Sequence, residues 1–116
     1  MKILITGGMG FIGSNLVDLL LQENHKITVL TKSYSKKKNL SHIQDKIKVE
    51  KVDITNHRKL SKIIEQHKPD VIIHLAGITS HSMSFEKPLD DLDQNAKSTL
   101  FILEKIRQMN HKCRFV

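Results

Sequence analysis

Apolar residues along the chain follow two rhythms. Nearly unbroken runs, Ile3-Leu4-Ile5 and Val71-Ile72-Ile73-His74-Leu75, predict strands covered on both faces. Elsewhere apolar residues recur every three or four positions. Ile12, Leu16, Leu19 and Leu20 predict a helix over Phe11–Glu23, and Leu60, Ile63 and Ile64 a second ending near His67. Leu92, Ala96, Leu100 and Leu103 predict a third, from Pro88 to about Asn110. Three more segments read as strands: Lys26–Leu30 on Ile27 and Val29, a stretch with Ile47, Val49 and Val52 among Lys48, Glu50 and Lys51, and Cys113–Val116. The alternation in the middle one predicts an outer strand with one wetter face.

The breaks agree with these boundaries. Asn24-His25 is a turn, Asp53-Ile54-Thr55-Asn56 breaks a strand and supplies caps, and Lys68-Pro69-Asp70 stops a helix. Pro88 suits a first helical turn. Residues 31–45 are polar and basic, with room for a short helix around Asn39–Gln44, and residues 78–87 read as a loop rich in Ser, Thr and His. Strands alternate with helices, which implies right-handed crossovers and a doubly wound parallel α/β sheet. The expected strand order is 3-2-1-4-5, in one domain over residues 1–116, with the chain stopping inside the fifth strand.

Gly7, Gly10 and Gly13 stand between the first strand and the first helix. At such a junction backbone N–H groups converge and the helix dipole favours an anion. Gly7 permits the sharp turn, Gly10 lets backbone approach a phosphate, and Gly13 allows close packing of helix on strand. The spacing is G-x-x-G-x-x-G, and its context predicts a dinucleotide pyrophosphate site. An acidic residue commonly ends the second strand of such a site and takes the ribose hydroxyls. Here Thr31 stands there, followed by Lys32, Ser33 and Tyr34. A lysine among hydroxyls suits a 2′-phosphate, so the chemistry leans from NAD towards NADP. Asp53 at the same sheet edge could accept from an adenine amino group, or cap a helix. Ala76-Gly77 are small enough for backbone to pass close to a cofactor.

His74 reads as a strand histidine held by neighbours rather than a base, since no carboxylate or nucleophile accompanies it. Ser80, His81, Ser82 and Ser84 lie where ligands approach such sheets, as substrate contacts or as solvated loop. Asn95 is an amide on the helix stripe and calls for a polar partner. Tyr34-x-x-x-Lys38 would pair phenol and ammonium on a helix, but falls in a basic loop away from any reacting carbon.

The formal charge is +7, with 19 Lys and Arg against 12 Asp and Glu. The lysines are spread, apart from Lys36–Lys38, and one Tyr with four Phe provides no basic–aromatic interleaving. That composition favours a solvated basic surface over a nucleic-acid groove. The single cysteine, Cys113, excludes an internal disulfide and reads as an inert strand thiol. The seven histidines are scattered without zinc spacing, so no metal site is expected. The N-terminus lacks signal-peptide organisation, and no run approaches the roughly 20 apolar residues a membrane span needs. The expected setting is cytoplasmic.

Four stretches together carry a resemblance: Thr6-Gly7-Gly8-Met9-Gly10-Phe11-Ile12-Gly13, Asp53-Ile54, His74-Leu75-Ala76-Gly77 and Asn95-Ala96-Lys97-Ser98-Thr99. They resemble the amino-terminal half of extended short-chain dehydrogenases/reductases, above all nucleotide-sugar epimerases and dehydratases. The likeness implies a Rossmann-type fold. It implies that Gly7, Gly10, Phe11 and Ile12 cradle the pyrophosphate, Thr31 and Lys32 face the adenosine ribose, and Asp53 and Ile54 the adenine. Leu75, Ala76, Gly77 and Thr79 would line the nicotinamide side, and Asn95 would support the active site. Thr31 departs from the acidic residue of NAD-using members, and Ser98 from the usual glycine. By the same likeness the family's Tyr-x-x-x-Lys, its Ser/Thr and its substrate domain would follow Val116, so this chain alone is expected to be inactive. The complete enzyme is expected to be a homodimer acting on a nucleotide sugar. A non-catalytic NAD(P)-binding or sensing module is the alternative.

Overall fold

The computed structural model describes residues 1–116. Five parallel strands form one sheet in the order β3-β2-β1-β4-β5: β1 (Lys2–Thr6), β2 (Lys26–Thr31), β3 (Lys48–Lys51), β4 (Val71–His74) and β5 (Arg114–Phe115). This is the expected doubly wound order. The order reverses at β1, whose carboxyl end is therefore flanked by β2 and β4. Register sets Ile5 opposite Val29 and Ile73, and Leu4 opposite Thr28 and Ile72.

Because side chains alternate across a strand, neighbouring β1 residues feed two different cores. Leu4, Leu30 and Ile72 pack with Leu60, Ile63 and Ile64 of α2 (His57–His67) and with Ile102. Ile3, Ile5, Ile27 and Val29 pack with Val17 of α1 (Phe11–Gln22) and with Leu40 and Ile43. Leu40 ends the 3-10 turn Lys37–Leu40 and Ile43 precedes the turn Gln44–Lys46; the two turns replace the single short helix expected at 39–44. Asn56 caps α2 by accepting from Lys59 N–H at 3.1 Å, and Lys68, in the left-handed region at φ 45°, ends it.

Two helical stripes differ from their reading in the sequence. In α1 the buried residues are Gly13, Ser14 and Val17, while Ile12 and Leu19 are 67% and 60% exposed. The first turn of α1 lies against the glycine turn, where only small residues fit; the large apolar ones stay outside. The helix expected from Pro88 to Asn110 is three pieces: α4 (Pro88–Leu92), a π-turn at Asp93–Lys97, and α5 (Ser98–Gln108). A short α3 (His81–Glu86), capped by Ser80, precedes it within the expected loop. The wider π-turn changes the helix phase. Asn95, Ser98 and Ile102 thereby point inward, and Leu92, Ala96, Leu100 and Leu103 face out. Cys113 precedes β5, and burial, then the Asp70 carboxylate, push its thiol up, as an unreactive thiol requires.

Candidate dinucleotide site

Gly7 leaves β1 at φ 70°. A side chain there would be strained, and its Cβ would meet Ala76 N at 2.8 Å. The turn is pinned by Gly7 N–H donating to Leu30 O at 3.1 Å and Gly10 N–H donating to Gly7 O at 2.9 Å. Gly10 is the N-cap of α1 and offers no capping side chain, nor does the first turn carry an acidic residue. The amides of that first turn are left for a ligand, in the manner of an anion site. Gly13 has a different part from the one expected. Its missing Cβ would lie 2.5 Å from Gly7 O and 2.6 Å from Gly8 Cα. It packs the helix against the turn itself, rather than against the strand.

The turn forms one wall of an open cavity of about 300 Å³. Gly7, Met9 and Gly10 meet Thr31 and Lys32 after β2, Asp53 and Ile54 after β3, and Leu75, Ala76 and Gly77 after β4. The carboxyl ends of four parallel strands thus converge on it, as the topology requires at a switch point. Ser33, Ser35, Lys36 and Gln94 complete the lining together with Leu30 and Val52. Of these, the sequence marked Ser33 beside Lys32 and Lys36 within a basic cluster, and gave no sign of Gln94. The basic loop folds back on the pocket through contacts far apart in the chain, among them Asn39 Nδ2 donating to Met9 O at 2.9 Å.

The β2 side is polar. Thr31 Oγ1 donates to Ser33 O at 2.6 Å, the Ser33 and Ser35 hydroxyls are 2.9 Å apart, and Lys32 Nζ lies 3.2 Å from Asp53 Oδ2. Burial alone would raise the Asp53 carboxyl; the Thr55 N–H and hydroxyl, then Lys32, outweigh it and hold the group below its ordinary value. Asp53 is therefore an anion with one oxygen engaged by Thr55 and the other by Lys32. It caps no helix; that role belongs to Asn56.

The β4 side is held by an amide. Asn95 Oδ1 accepts from Ile78 N–H at 2.8 Å, and its Nδ2 donates to Ile78 O at 3.0 Å and to Asp91 Oδ1 at 2.6 Å. The π-turn carries it there, closed by the buried Ser98 hydroxyl donating to Asp93 O at 2.7 Å. Ser98 thus has a use where the resembling family has glycine. A Cβ on Gly77 would sit 2.6 Å from Asn95 Oδ1. Gly77 is small for the sake of Asn95.

Several expected contacts are not among the cavity walls. The side chains of Phe11 and Ile12 point to solvent, and Gly13 lies behind the turn. Thr79, Ser80, His81 and Ser82 also lie outside the lining; Ser80 Oγ is committed to Met83 N–H and its neighbour Ser82. Tyr34 and Lys38 are not on one α-helix, and the cation over the Tyr34 ring is Lys51, at 5.7 Å.

His74 is held as the sequence suggests. Its Nδ1 lies 2.7 Å from Thr6 Oγ1 and its ring packs beside Phe115 at 5.9 Å. Burial holds its pKa below the ordinary 6.5. As pH falls through 6.5 the unfolded chain takes up this proton and the folded chain resists it, so folding loses stability on acidification, until the folded form also protonates. Between about pH 7.5 and 5.5 the melting temperature should therefore fall more steeply in the wild-type chain than in His74→Asn. Equal slopes in a thermal-melt series would remove His74 as the source.

A parallel sheet reversing at β1, with an uncapped glycine turn at the reversal, defines a Rossmann-type doubly wound α/β protein. Residues 4–116 match the GDP-mannose 4,6 dehydratase family, and the chain belongs to it. Over 121 residues it is 36% identical to CDP-paratose 2-epimerase of Salmonella typhi, spanning all of this chain and 36% of that protein. It is 30% identical to UDP-glucose 4-epimerase of Klebsiella pneumoniae, over 92% of this chain and 81% of that sequence. The crystal structure of Thermus thermophilus UDP-glucose 4-epimerase with NAD superposes with a TM-score of 0.83 at 30% identity, covering 93% of this chain and 34% of that one. The chain thus spans about a third of the length of the paratose epimerase and of the Thermus enzyme. The four motifs read from the sequence lead to this same group of epimerases and dehydratases. No helix is long and apolar enough to cross a membrane.

Proposed function

We propose that this chain is the dinucleotide-binding portion of an NAD(P)-dependent nucleotide-sugar epimerase or dehydratase. The observation that carries the reading is the uncapped turn Gly7–Gly13 facing Asp53 and Leu75–Gly77 across one cavity. The residues present fit the group: first-turn amides without a protein cap suit a pyrophosphate, and the only carboxylate in the lining is already neutralised by Lys32. The backbone of Gly7, Gly10, Phe11 and Ile12 would hold the pyrophosphate. Thr31 and Lys32 would take the adenosine ribose, and Asp53 with Ile54 the adenine. Leu75, Ala76 and Gly77, with Thr79 beyond them, would face the nicotinamide. The bound nicotinamide would supply reversible hydride transfer at a sugar carbon. Asn95 shapes the loop beside it, and Ser80, His81 and Ser82 lie in the direction a sugar would approach. A cytoplasmic homodimer remains the setting we propose for the whole enzyme.

The Thermus epimerase carries NAD. In this chain Lys32 and Lys36 line the adenosine end together with Ser33 and Ser35, and the Lys32 ammonium, which meets only one Asp53 oxygen, is 65% exposed and keeps donors for a second anion. That set favours an added phosphate, so we propose a preference for NADPH over NADH. In a fluorescence titration of the 116-residue chain both should bind. NADPH should bind about five- to tenfold more tightly, a difference of one charge-assisted contact, and Lys32→Ala should erase most of it. Equal affinities would overturn the NADP preference, and the absence of any binding would overturn the reading as a whole. Saturable binding at physiological salt also separates this reading from the nucleic-acid one, in which affinity would fall steeply with salt.

A further inference from the structure

Thr6 is fully buried at the end of β1. Its Oγ1 has two polar neighbours, the Ala76 N–H at 3.1 Å and His74 Nδ1 at 2.7 Å. The amide can only donate, so Thr6 Oγ1 accepts there. The hydroxyl proton then needs an acceptor, and His74 Nδ1 is in place. His74 Nε2 is buried and makes no hydrogen bond.

The two neutral tautomers differ in what they leave unpaired. With the proton on Nδ1, both the Thr6 hydroxyl proton and the Nε2 lone pair lack partners. With the proton on Nε2, only that N–H does. Each unpaired buried group is costly, so the chain of bonds runs one way: Ala76 N–H to Thr6 Oγ1, and Thr6 O–H to His74 Nδ1. The end of this chain is at the cavity. Leu75 N–H donates to Thr6 O at 3.1 Å, and the Ala76 amide nitrogen lies 2.8 Å from where a Gly7 Cβ would be. Gly7 and Ala76 both line the cavity. On its other side His74 is steadied by Phe115 and by its own N–H donating to Val116 O at 2.8 Å.

We propose that His74 is a positioning residue for dinucleotide binding: by accepting the Thr6 hydroxyl proton it aims Thr6 Oγ1 at the Ala76 amide and holds the Leu75–Gly77 backbone against the Gly7 turn. This rests on the cofactor reading above. It requires the Nε2–H tautomer and requires no proton transfer.

The test uses the full chain labelled with 15N. The imidazole nitrogen shifts of His74 should report an unprotonated Nδ1, and the Ala76 amide resonance should move in Thr6→Val and in His74→Leu. Both variants should bind NADH and NADPH about tenfold more weakly than wild type, as loss of one buried hydrogen bond implies. His74→Asn, whose Oδ1 can stand where Nδ1 does, should restore affinity to within about threefold. A protonated Nδ1 would overturn the proposal, as would His74→Leu binding like wild type, or Asn and Leu variants being equally impaired. If Leu does not fold, the tautomer and the Thr6→Val and His74→Asn affinities decide alone. A wild-type chain that binds neither nucleotide would instead overturn the cofactor reading, with the tautomer and the Ala76 shift still deciding the hydrogen-bond chain.

Discussion

Gly13→Ala should lower the melting temperature by roughly 10 °C and weaken nucleotide binding at least tenfold, although alanine is the better helix former. The two effects oppose each other and differ in size. Alanine gains about 1 kcal/mol of helix propensity at an interior position. The new Cβ, however, would lie 2.5 Å from Gly7 O, 2.6 Å from Gly8 Cα and 2.9 Å from Gly8 C. All three are backbone atoms, so no rotamer relieves the contact, and overpacking costs about 3 kcal/mol or somewhat more. The helix start must move away from the turn, which takes its first amides out of line with the pyrophosphate. Gly10→Ala is the contrasting control. Its Cβ would meet only Gly7 O, at 3.2 Å, and would otherwise occupy the cavity side. It should leave the melting temperature within a few degrees of wild type and act on affinity. Circular dichroism melts and NADPH titrations of the two variants check both halves. A Gly13→Ala protein as stable as wild type would refute the packing argument.

Asn95→Leu should be the most damaging change among the polar residues. It removes three hydrogen bonds at once and leaves the Ile78 N–H, the Ile78 carbonyl and Asp91 without their partner. The similar volume of leucine isolates the polar loss from any cavity. Stranding such groups costs about 2–3 kcal/mol in a half-buried site. The Leu75–Ser82 segment should then exchange its amide hydrogens faster and be cut earlier by protease. A double-mutant cycle adds a sharper readout. Gly77→Ala forces a Cβ to 2.6 Å from Asn95 Oδ1, a clash that exists only while Asn95 is present. Gly77→Ala should therefore be strongly destabilising alone and close to neutral in the Asn95→Ala background, a coupling of roughly 1–2 kcal/mol. Additive effects would mean that Gly77 answers to something other than Asn95.

Not every consequence of these elements could be read along the chain. The glycine turn was legible because its neighbours are local: a strand, four glycines and a helix start all fall between Lys2 and Gly13. Asp53 and Ala76-Gly77 were legible because parallel strands deliver their carboxyl ends to one edge, so a residue's place after a strand is already its place at the site. The helix faces were not. Leu100 belongs to the apolar stripe read from the sequence and is 67% exposed, whereas Ser98 is fully buried. Hydrophobic periodicity assumes a uniform helical phase, and the π-turn at Asp93–Lys97 breaks it. In α1 the stripe held for Leu20, which packs on the core, and failed for Ile12, because beside the glycine turn size decides before hydrophobicity does.

Local patterning, then, sufficed for the class of fold and the position of the glycine turn, since these depend on the alternation of elements and on backbone freedom at Gly7. Tertiary structure alone decided which residues share the cavity and what holds them. It brought Lys36 and Gln94 to the lining, turned Asn95 onto Ile78, and joined Thr6 to His74 across 68 positions. Those contacts have no signature along the chain because they arise where separate strands end side by side. The glycine turn remains the point they are assembled around, with the β4 backbone pressed against it and fixed from both sides.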